Sequence, residues 1–307
     1  MTVTNETADL AGLLAAGERA AFHGRPASGV AVLESAFEQA RTEGKGAEAT
    51  AAAWLLGVCL AAAGKFGGSL SVLEPLVAAG TSEVPERRLF AALAASSSAA
   101  VRRQLGQHDE ARALDNSALA FAEGAPEAIF DATVGLAADA VATEDAAGAQ
   151  HLLEQSRHIA EGHNDWWRQR VRLQWVDAEV ALLIGDTGRA RDVLHQAVQL
   201  AEVSGAPRHV AKTLLLLAVS HVQSGELAEA ETTLRRAATL AESLGALPTL
   251  WPSRALLGAL LEESSPAESA KSLAAARSGV IAIADDLSDD LRGVWLDRPD
   301  VAALLGG

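Results

Sequence analysis

The sequence predicts an all-α protein made of about seven consecutive helical hairpins. Alanine fills 67 of the 307 positions, whereas only 4% of the residues are aromatic and none is tyrosine. Alanine favours helices and is too small to fill the core of a broad sheet, so an all-β fold is excluded. Glycines recur in two interleaved series with a period of about 40 residues. Small residues recur at two fixed places relative to those glycines.

The two glycine series indicate where the helices end. The first series marks the turn inside each hairpin and contains Gly24, Gly64, Gly106, Gly185 and Gly225, with Glu144 and Ser265 at the two remaining places. The second series follows at a helical length of roughly 16 to 20 residues and contains Gly44, Gly80, Gly124, Gly162, Gly205 and Gly245. Prolines soon after three of these glycines cannot continue a helix, so a new helix is expected there.

Small residues predict where the two helices of each hairpin touch. Gly, Ala or Ser stands seven residues before each turn, at Gly17, Gly57, Ala99, Ala137, Ala178, Ala218 and Gly258. The same residue types stand five residues after it, at Gly29, Ser69, Ala111, Ala149, Ala190, Ala230 and Ala270. Small side chains at both places let two helix axes approach to about 8 to 10 Å.

Two segments carry a resemblance to a known family. Residues 55–60, Leu-Leu-Gly-Val-Cys-Leu, precede the turn glycine Gly64, and residues 216–221, Leu-Leu-Ala-Val-Ser-His, precede Gly225. This pattern resembles the tetratricopeptide repeat, and the resemblance covers nearly the whole chain. It implies a right-handed α-α superhelix whose first helices line a concave groove. The chain departs from the family in its longer period and in lacking the tyrosine usual late in the first helix.

Long repeats of this kind are similar to the C-terminal regions of large bacterial ATP-dependent transcriptional activators and signalling ATPases, in which a segment like 287–305 follows the last repeat. We therefore expect a repeat domain at 1–286 and a C-terminal capping segment at 287–307. A solenoid needs such a cap because its last repeat exposes an apolar end. The apolar face of the cap would consist of Leu291, Trp295, Leu296 and Leu304; the alternative is a tail that binds a partner.

Charge and hydropathy limit the partners and the compartment. The formal net charge of -15 disfavours nucleic acid unless a local basic patch is present. Residues 1–6 lack the basic region of a secretory signal, and the longest run without a charged or polar residue, 51–64, falls short of the ~18 residues of a membrane span. We expect a cytoplasmic protein with no membrane partner. The single cysteine, Cys59, lies in an apolar run and is expected to be a buried structural thiol.

No catalytic or cofactor signature is complete, so the sequence predicts a protein that is not an enzyme and uses no cofactor. The Gly44-Lys45-Gly46 stretch lacks the further glycine and the Ser or Thr of a phosphate-binding loop. His151, Glu154 and His158 share one face of a helix but lack the further ligands of a zinc site. We interpret them as part of a polar convex surface, with metal binding as the less favoured alternative.

The candidate binding residues follow from the resemblance, which implies that positions thirteen, ten, six and three before the turn face the concave groove. Arg172 precedes Trp175 by about one helical turn, an arrangement that can hold an anion beside an apolar ring. Trp166 and Trp167 are expected to pack between neighbouring repeats instead. The predicted groove residues are Trp54, Arg103, Asp131, Arg172, Trp175, Glu179 and Lys212.

The leading functional hypothesis is a non-catalytic interaction scaffold or adaptor that binds a segment of a protein or peptide partner in the groove. The alternative is an effector-sensing regulatory domain that binds a small molecule or peptide and signals to a transcriptional or signalling partner. Members of the family that grip an extended peptide backbone or a terminal carboxylate resemble one another in using repeated asparagines with Lys or Arg on the first helices. This chain has only Asn5, Asn116 and Asn164, and none occupies the expected place. A helix, a folded surface or a small amphipathic molecule is therefore preferred, and a homo-oligomer stays open.

Overall fold

The computed structural model describes residues 9–306, which form 16 α-helices and no strand. Residues 1–6, on which the argument against a secretory signal depends, lie outside this range. The helices are α1 Leu10–His23, α2 Pro26–Thr42, α3 Gly46–Ala63, α4 Phe66–Ala78, α5 Pro85–Gln104, α6 His108–Phe121, α7 Pro126–Ala142, α8 Ala146–Ile159, α9 Trp167–Leu183, α10 Thr187–Val203, α11 Pro207–Gln223, α12 Leu227–Leu244, α13 Leu247–Leu260, α14 Pro266–Ala284, α15 Asp289–Leu296 and α16 Pro299–Gly306. A short 3-10 turn, Ala79–Thr81, follows α4.

Helices α1 to α14 pair in sequence into seven hairpins, so the predicted fold is confirmed. Most of the predicted turn glycines are left-handed, for example Gly64 at φ 83°, and Glu144 takes the same conformation at φ 58°. Gly24 is an exception, with φ -139°. Gly80 lies in the 3-10 turn, where a Cβ atom would stand 2.4 Å from the Phe121 ring. Its small size is therefore required by packing rather than by backbone conformation.

The small residues lie where the paired helices touch, as the sequence predicts. A Cβ atom added to Gly17, Gly57 or Gly258 would stand 2.2, 2.5 or 2.7 Å from a leucine of the partner helix, well inside van der Waals contact. Those leucines are Leu33, Leu73 and Leu273. Each leucine therefore fills the space that the missing side chain leaves, and this contact sets the distance between the two helices.

Helix α3 is 18 residues long and apolar enough to cross a membrane by length and composition, with half of its residues buried in the fold. The helix reaches this length because it begins at Gly46, five residues before the 51–64 run, and includes Thr50 and Glu48. In the structure α3 packs against α1, α2, α4 and α5. Its apolar side chains are thus used in packing between hairpins, and Cys59 within it is fully buried.

The superhelix turns far enough to meet itself. Helix α11 contacts α1, and α13 contacts α3. At the first of these contacts His23 Nδ1 lies 3.0 Å from the carbonyl oxygen of Ser204, and the Arg168 guanidinium lies 5.6 Å from the centre of the Phe22 ring. The inner helices therefore enclose a central space rather than lining an open groove.

The C-terminal segment strengthens this closure. Trp295 of α15 is fully buried in one apolar cluster with Phe66 after the second-hairpin turn, Val101 of α5 and Trp251 of α13. Its indole Nε1 donates to the carbonyl oxygen of Val280 at 3.0 Å. Of the apolar residues predicted for the cap, Trp295 and Leu304 are buried, and Leu291 and Leu296 pack against the same cluster. The segment therefore covers the last hairpin and also joins it to the second and third.

Candidate binding cavity

The inner helices of all seven hairpins surround a central cavity of about 880 Å³. Its wall is formed by α1, α3, α5, α7, α9, α11 and α13, and by the Arg298–Asp300 stretch that begins α16. The cavity exists because the two ends of the superhelix meet.

All seven predicted groove residues lie in this wall: Trp54, Arg103, Asp131, Arg172, Trp175, Glu179 and Lys212. Their location agrees with the register taken from the resemblance; that they bind a ligand stays a prediction. Sequence reasoning missed other wall residues, among them Phe22, Arg168, Arg208, Trp251 and Arg298. Arg168 and Arg208 precede Arg172 and Lys212 by four residues, so extending the same helical face by one turn finds them.

Asp131 of α7 joins two arginines of α9. Arg172 Nη1 donates to Asp131 Oδ1 at 2.5 Å and Arg168 Nη2 donates to Asp131 Oδ2 at 2.9 Å. Arg168 also reaches Glu127 Oε1 at 3.2 Å. Burial opposes ionisation of Asp131, but the two guanidinium groups hold the pKa of its carboxyl below the ordinary value. This trio is therefore charged and joins the fourth and fifth hairpins through their first helices, α7 and α9.

Arg103 of α5 is held in a second buried network. It donates to Asp115 at 2.6 Å and to Asp139 at 2.9 Å, and both aspartates are fully buried. Burial raises the pKa of Asp115 to about 6 despite the neighbouring guanidinium. Gly135 is required here, because a Cβ atom would stand 2.2 Å from Asp115 Oδ2. Arg103 therefore has its partners within the protein.

Trp175 of α9 reaches the wall but is mostly packed between hairpins, with 6% of its surface exposed. Its Nε1 donates to Thr213 Oγ1 at 2.7 Å, and its ring stacks on His209 at 5.5 Å. Lys212 Nζ lies 4.4 Å from the centre of the ring. The expected pairing of Arg172 with Trp175 is thus replaced by a Lys212–Trp175 contact, because Arg172 is engaged by Asp131.

Trp166 and Trp167 pack between neighbouring elements, as expected. The Trp166 ring stacks on His163 with centroids 4.0 Å apart and meets Phe130 edge-on at 5.9 Å. Trp167 lies 5.2 Å from His23 and 4.9 Å from His209, at the contact where α1 meets α11.

The part of the wall formed by α1, α3 and α13 is largely apolar. Trp54 lies between Phe22 and Phe90, at centroid distances of 6.4 and 6.1 Å, and its Nε1 donates to Ser97 Oγ at 3.1 Å. Val58 and Trp251 continue this surface. The cavity therefore combines an apolar side with a charged side on α7, α9 and α11.

The residues considered for a metal site and the single cysteine all lie outside the cavity wall. His151, Glu154 and His158 of α8 are exposed, as expected for a convex surface, and residues 9–306 contain no group of three or more His, Cys, Asp or Glu arranged to hold a metal ion. Burial raises the pKa of the Cys59 thiol to about 11, so it stays protonated at neutral pH.

Solved structures with the same fold span nearly the whole chain. A Rap protein in complex with competence and sporulation factor aligns with a TM-score of 0.64 at 12% identity, over 97% of this chain and 85% of that one. NprR in complex with its cognate peptide NprX aligns with a TM-score of 0.56 at 13% identity, over 97% of this chain and 82% of that one.

A signal transduction ATPase with numerous domains and a tetratricopeptide repeat sensor, from Pyrococcus horikoshii, aligns with a TM-score of 0.52 at 14% identity, over 98% of this chain and 45% of that one. These similarities confirm the tetratricopeptide-type solenoid and its likeness to the repeat regions of signalling ATPases. No family model matches the sequence, and no curated protein matches it.

Proposed function

We propose that this protein is a non-catalytic regulatory module of the cytoplasm that binds a short peptide in its central cavity and passes the bound state to a protein partner. The observation that carries the proposal is the closure of the superhelix around a cavity of about 880 Å³. That volume lies within the roughly 300–1,000 Å³ of pockets that enclose small ligands. A folded partner does not fit such a space, so the partner segment expected from the sequence must be short.

Two of the proteins with this fold support a peptide as the ligand. The Rap protein was crystallised with competence and sporulation factor and NprR with its cognate peptide, and both align over more than nine-tenths of this chain. A small amphipathic molecule is the second candidate, because one side of the cavity wall is aromatic and aliphatic.

Because the superhelix is closed, ligand binding in the cavity can change the arrangement of the outer helices. The wall includes α1 and α11, which meet at one contact, and α3 and α13, which meet at another. A ligand that touches both sides of such a contact stabilises the closed arrangement over any more open one. The outer helices move with the hairpins to which they belong, so the affinity of the convex surface for a protein partner changes with occupancy.

The test is native mass spectrometry of the purified protein after incubation with the low-mass fraction of an extract from cells that make it. We expect a bound species that disappears when the fraction is first treated with protease. The Ala138→Trp variant, which places a large ring in the cavity, should lose this species. The Ala120→Trp variant, at an exposed position of α6 outside the wall, should keep it.

If the bound species is still seen after the fraction has been treated with protease, the ligand is a small molecule and not a peptide. Absence of any bound species, or equal binding by both tryptophan variants, would overturn the proposal.

A further inference from the structure

Four basic side chains line adjacent helices on one side of the cavity. Arg168 and Arg172 lie four residues apart on α9, and Arg208 and Lys212 lie four residues apart on α11. Residues at that spacing share a helix face. The α9 pair is neutralised in part by Asp131 and Glu127. The α11 pair is different, because within residues 9–306 neither Arg208 nor Lys212 has a carboxylate oxygen within 4.0 Å.

Arg208 is the most incompletely paired of these groups. Its Nε is buried and has no hydrogen-bond partner in the described part of the chain. Burial and the nearby guanidinium groups of Arg168 and Arg172 lower the pKa of Arg208 to about 10, which still leaves it charged at neutral pH. Arg208 is half-buried, and a partly desolvated cation without an anionic partner is costly. Within residues 9–306 the buried Nδ1 of His209 also lacks a hydrogen-bond partner.

The acids of the wall do not balance these cations. Asp131 is engaged by α9, and Asp300 is engaged by Arg298. Glu179 is the remaining acid, and its charge acts on Lys212 without forming an ion pair within 4.0 Å. Burial raises the pKa of Glu179, which weakens it further as a counter-charge. A protein of net charge -15 therefore carries a locally cationic surface inside its cavity.

We propose that the cavity recognises its ligand through a carboxylate that pairs with Arg208 and Lys212, while an apolar part of the ligand lies against the Phe22 and Trp54 side of the wall. This inference rests on the proposed function and specifies its ligand class. Guanidinium and ammonium groups bind carboxylates by charge-assisted hydrogen bonds, which are strongest where water is excluded. The carboxylate comes from the C-terminus of a peptide or from an aspartate or glutamate side chain.

The expectation against a terminal-carboxylate site rests on the lack of asparagines at the expected places on the first helices. Asn116 and Asn164 lie outside the cavity wall, and Asn5 is not among the described residues. In this chain the unpaired cations of α11 supply the recognition instead.

The test compares two probes of the same shape, dansyl-leucine with a carboxylate and dansyl-leucinamide with a neutral carboxamide, and follows binding by dansyl fluorescence. Wild type should bind the acid at least about tenfold more tightly than the amide, which corresponds to about 1.4 kcal/mol. Arg208→Gln and Lys212→Gln should each remove most of that preference. Lys271→Gln, which removes the same charge from an exposed position outside the wall, should keep it. Arg208→Lys should restore part of it.

A third probe, the α-amide of dansyl-glutamic acid, separates the two sources of the carboxylate. Binding as tight as that of dansyl-leucine indicates a side-chain carboxylate, and binding as weak as that of the amide indicates a C-terminus. Circular dichroism shows that each variant is folded.

Equal affinity of wild type for the acid and the amide would overturn the carboxylate proposal while leaving cavity binding intact. If neither probe binds, or if both bind Ala138→Trp as they bind wild type, the cavity is not the binding site and the proposed function fails with it.

Discussion

Substitution of Gly67 by alanine probes the contact between the second hairpin and the C-terminal part of the chain. A Cβ atom at Gly67, in the first turn of α4, would stand 2.0 Å from the backbone oxygen of Asp286, just after α14. Ordinary van der Waals contact begins at about 3.4 Å, so the two segments must separate by roughly 1.4 Å. That shift also disturbs the hydrogen bond from Gly68 N to Asp286 Oδ2, which measures 3.1 Å.

Gly68 offers a matched control, because it is the next residue of the same helix. A Cβ atom there meets nothing closer than 3.7 Å, from a Leu60 methyl group. Both substitutions gain the same helix propensity of up to about 1 kcal/mol over glycine. The difference between the variants therefore reports the steric term alone, which for overpacking is about 1–3 kcal/mol.

The assay is urea denaturation followed by far-UV circular dichroism. Gly68→Ala should be as stable as wild type or slightly more stable. The free energy of unfolding of Gly67→Ala should be lower than that of Gly68→Ala by about 1–3 kcal/mol. Equal stability of the two variants would refute the contact between α4 and the segment after α14, and with it the closure on that side of the cavity.

Three further predictions concern buried groups. Trp295→Ala should lower the free energy of unfolding by about 3–5 kcal/mol in the same assay, because the ring fills the apolar cluster that joins three hairpins. Trp295→Phe should lower it by less. A loss below about 1 kcal/mol for Trp295→Ala would contradict the buried position of the ring. Burial raises the pKa of Asp115 from an ordinary 3.8 to about 6, so the folded state favours the protonated carboxyl. The free energy of unfolding of wild type relative to Asp115→Asn should therefore fall by up to about 3 kcal/mol as pH rises from about 4 to 7. A difference that does not change with pH would show that the pKa of this carboxyl is not perturbed. Cys59 should resist alkylation by iodoacetamide in the native state and react in urea, and rapid native labelling would contradict its burial.

The hairpins were predictable because their signals are local. A left-handed glycine after a helix and a small residue opposite a leucine each need only nearby residues to specify them, as Gly64 and Gly57 illustrate. The glycine pattern failed to predict the backbone conformation at Gly80, which is not left-handed. Glycine is needed there because the Phe121 ring, about 40 residues further along the chain, leaves no space for a side chain.

Closure of the superhelix was not predictable from the repeat pattern. It depends on the small rotation from one hairpin to the next, which accumulates over five or so repeats and leaves no periodic signal. The contact between His23 and Ser204 joins residues 181 positions apart and consists of one ring nitrogen and one backbone oxygen. No sequence pattern distinguishes this histidine, or this backbone oxygen, from others in the chain.

The sequence placed the predicted groove residues in the cavity wall, but it did not predict how they pair with one another. The repeat register was sufficient to place Arg172 and Trp175 in the wall, since it fixes which helix face turns inward. Which cation pairs with which acid depends on side chains from neighbouring hairpins. Arg172 forms an ion pair with Asp131, and Lys212 is the cation that contacts the Trp175 ring. The unpaired state of Arg208 likewise becomes visible only when all its neighbours are in place.

Carbodiimide cross-linking tests most directly the central claim, that the two ends of the superhelix meet around a cavity. Lys65 Nζ lies 3.9 Å from Asp286 Oδ1, and both side chains are accessible to solvent although they are 221 residues apart. Native protein treated with the reagent and digested should give a zero-length Lys65–Asp286 cross-link that disappears in urea and is reduced in Gly67→Ala. Lys45 and Glu43, whose charged atoms are 2.7 Å apart, are the positive control for the reagent. If they become linked in native protein while Lys65 and Asp286 do not, the superhelix is open.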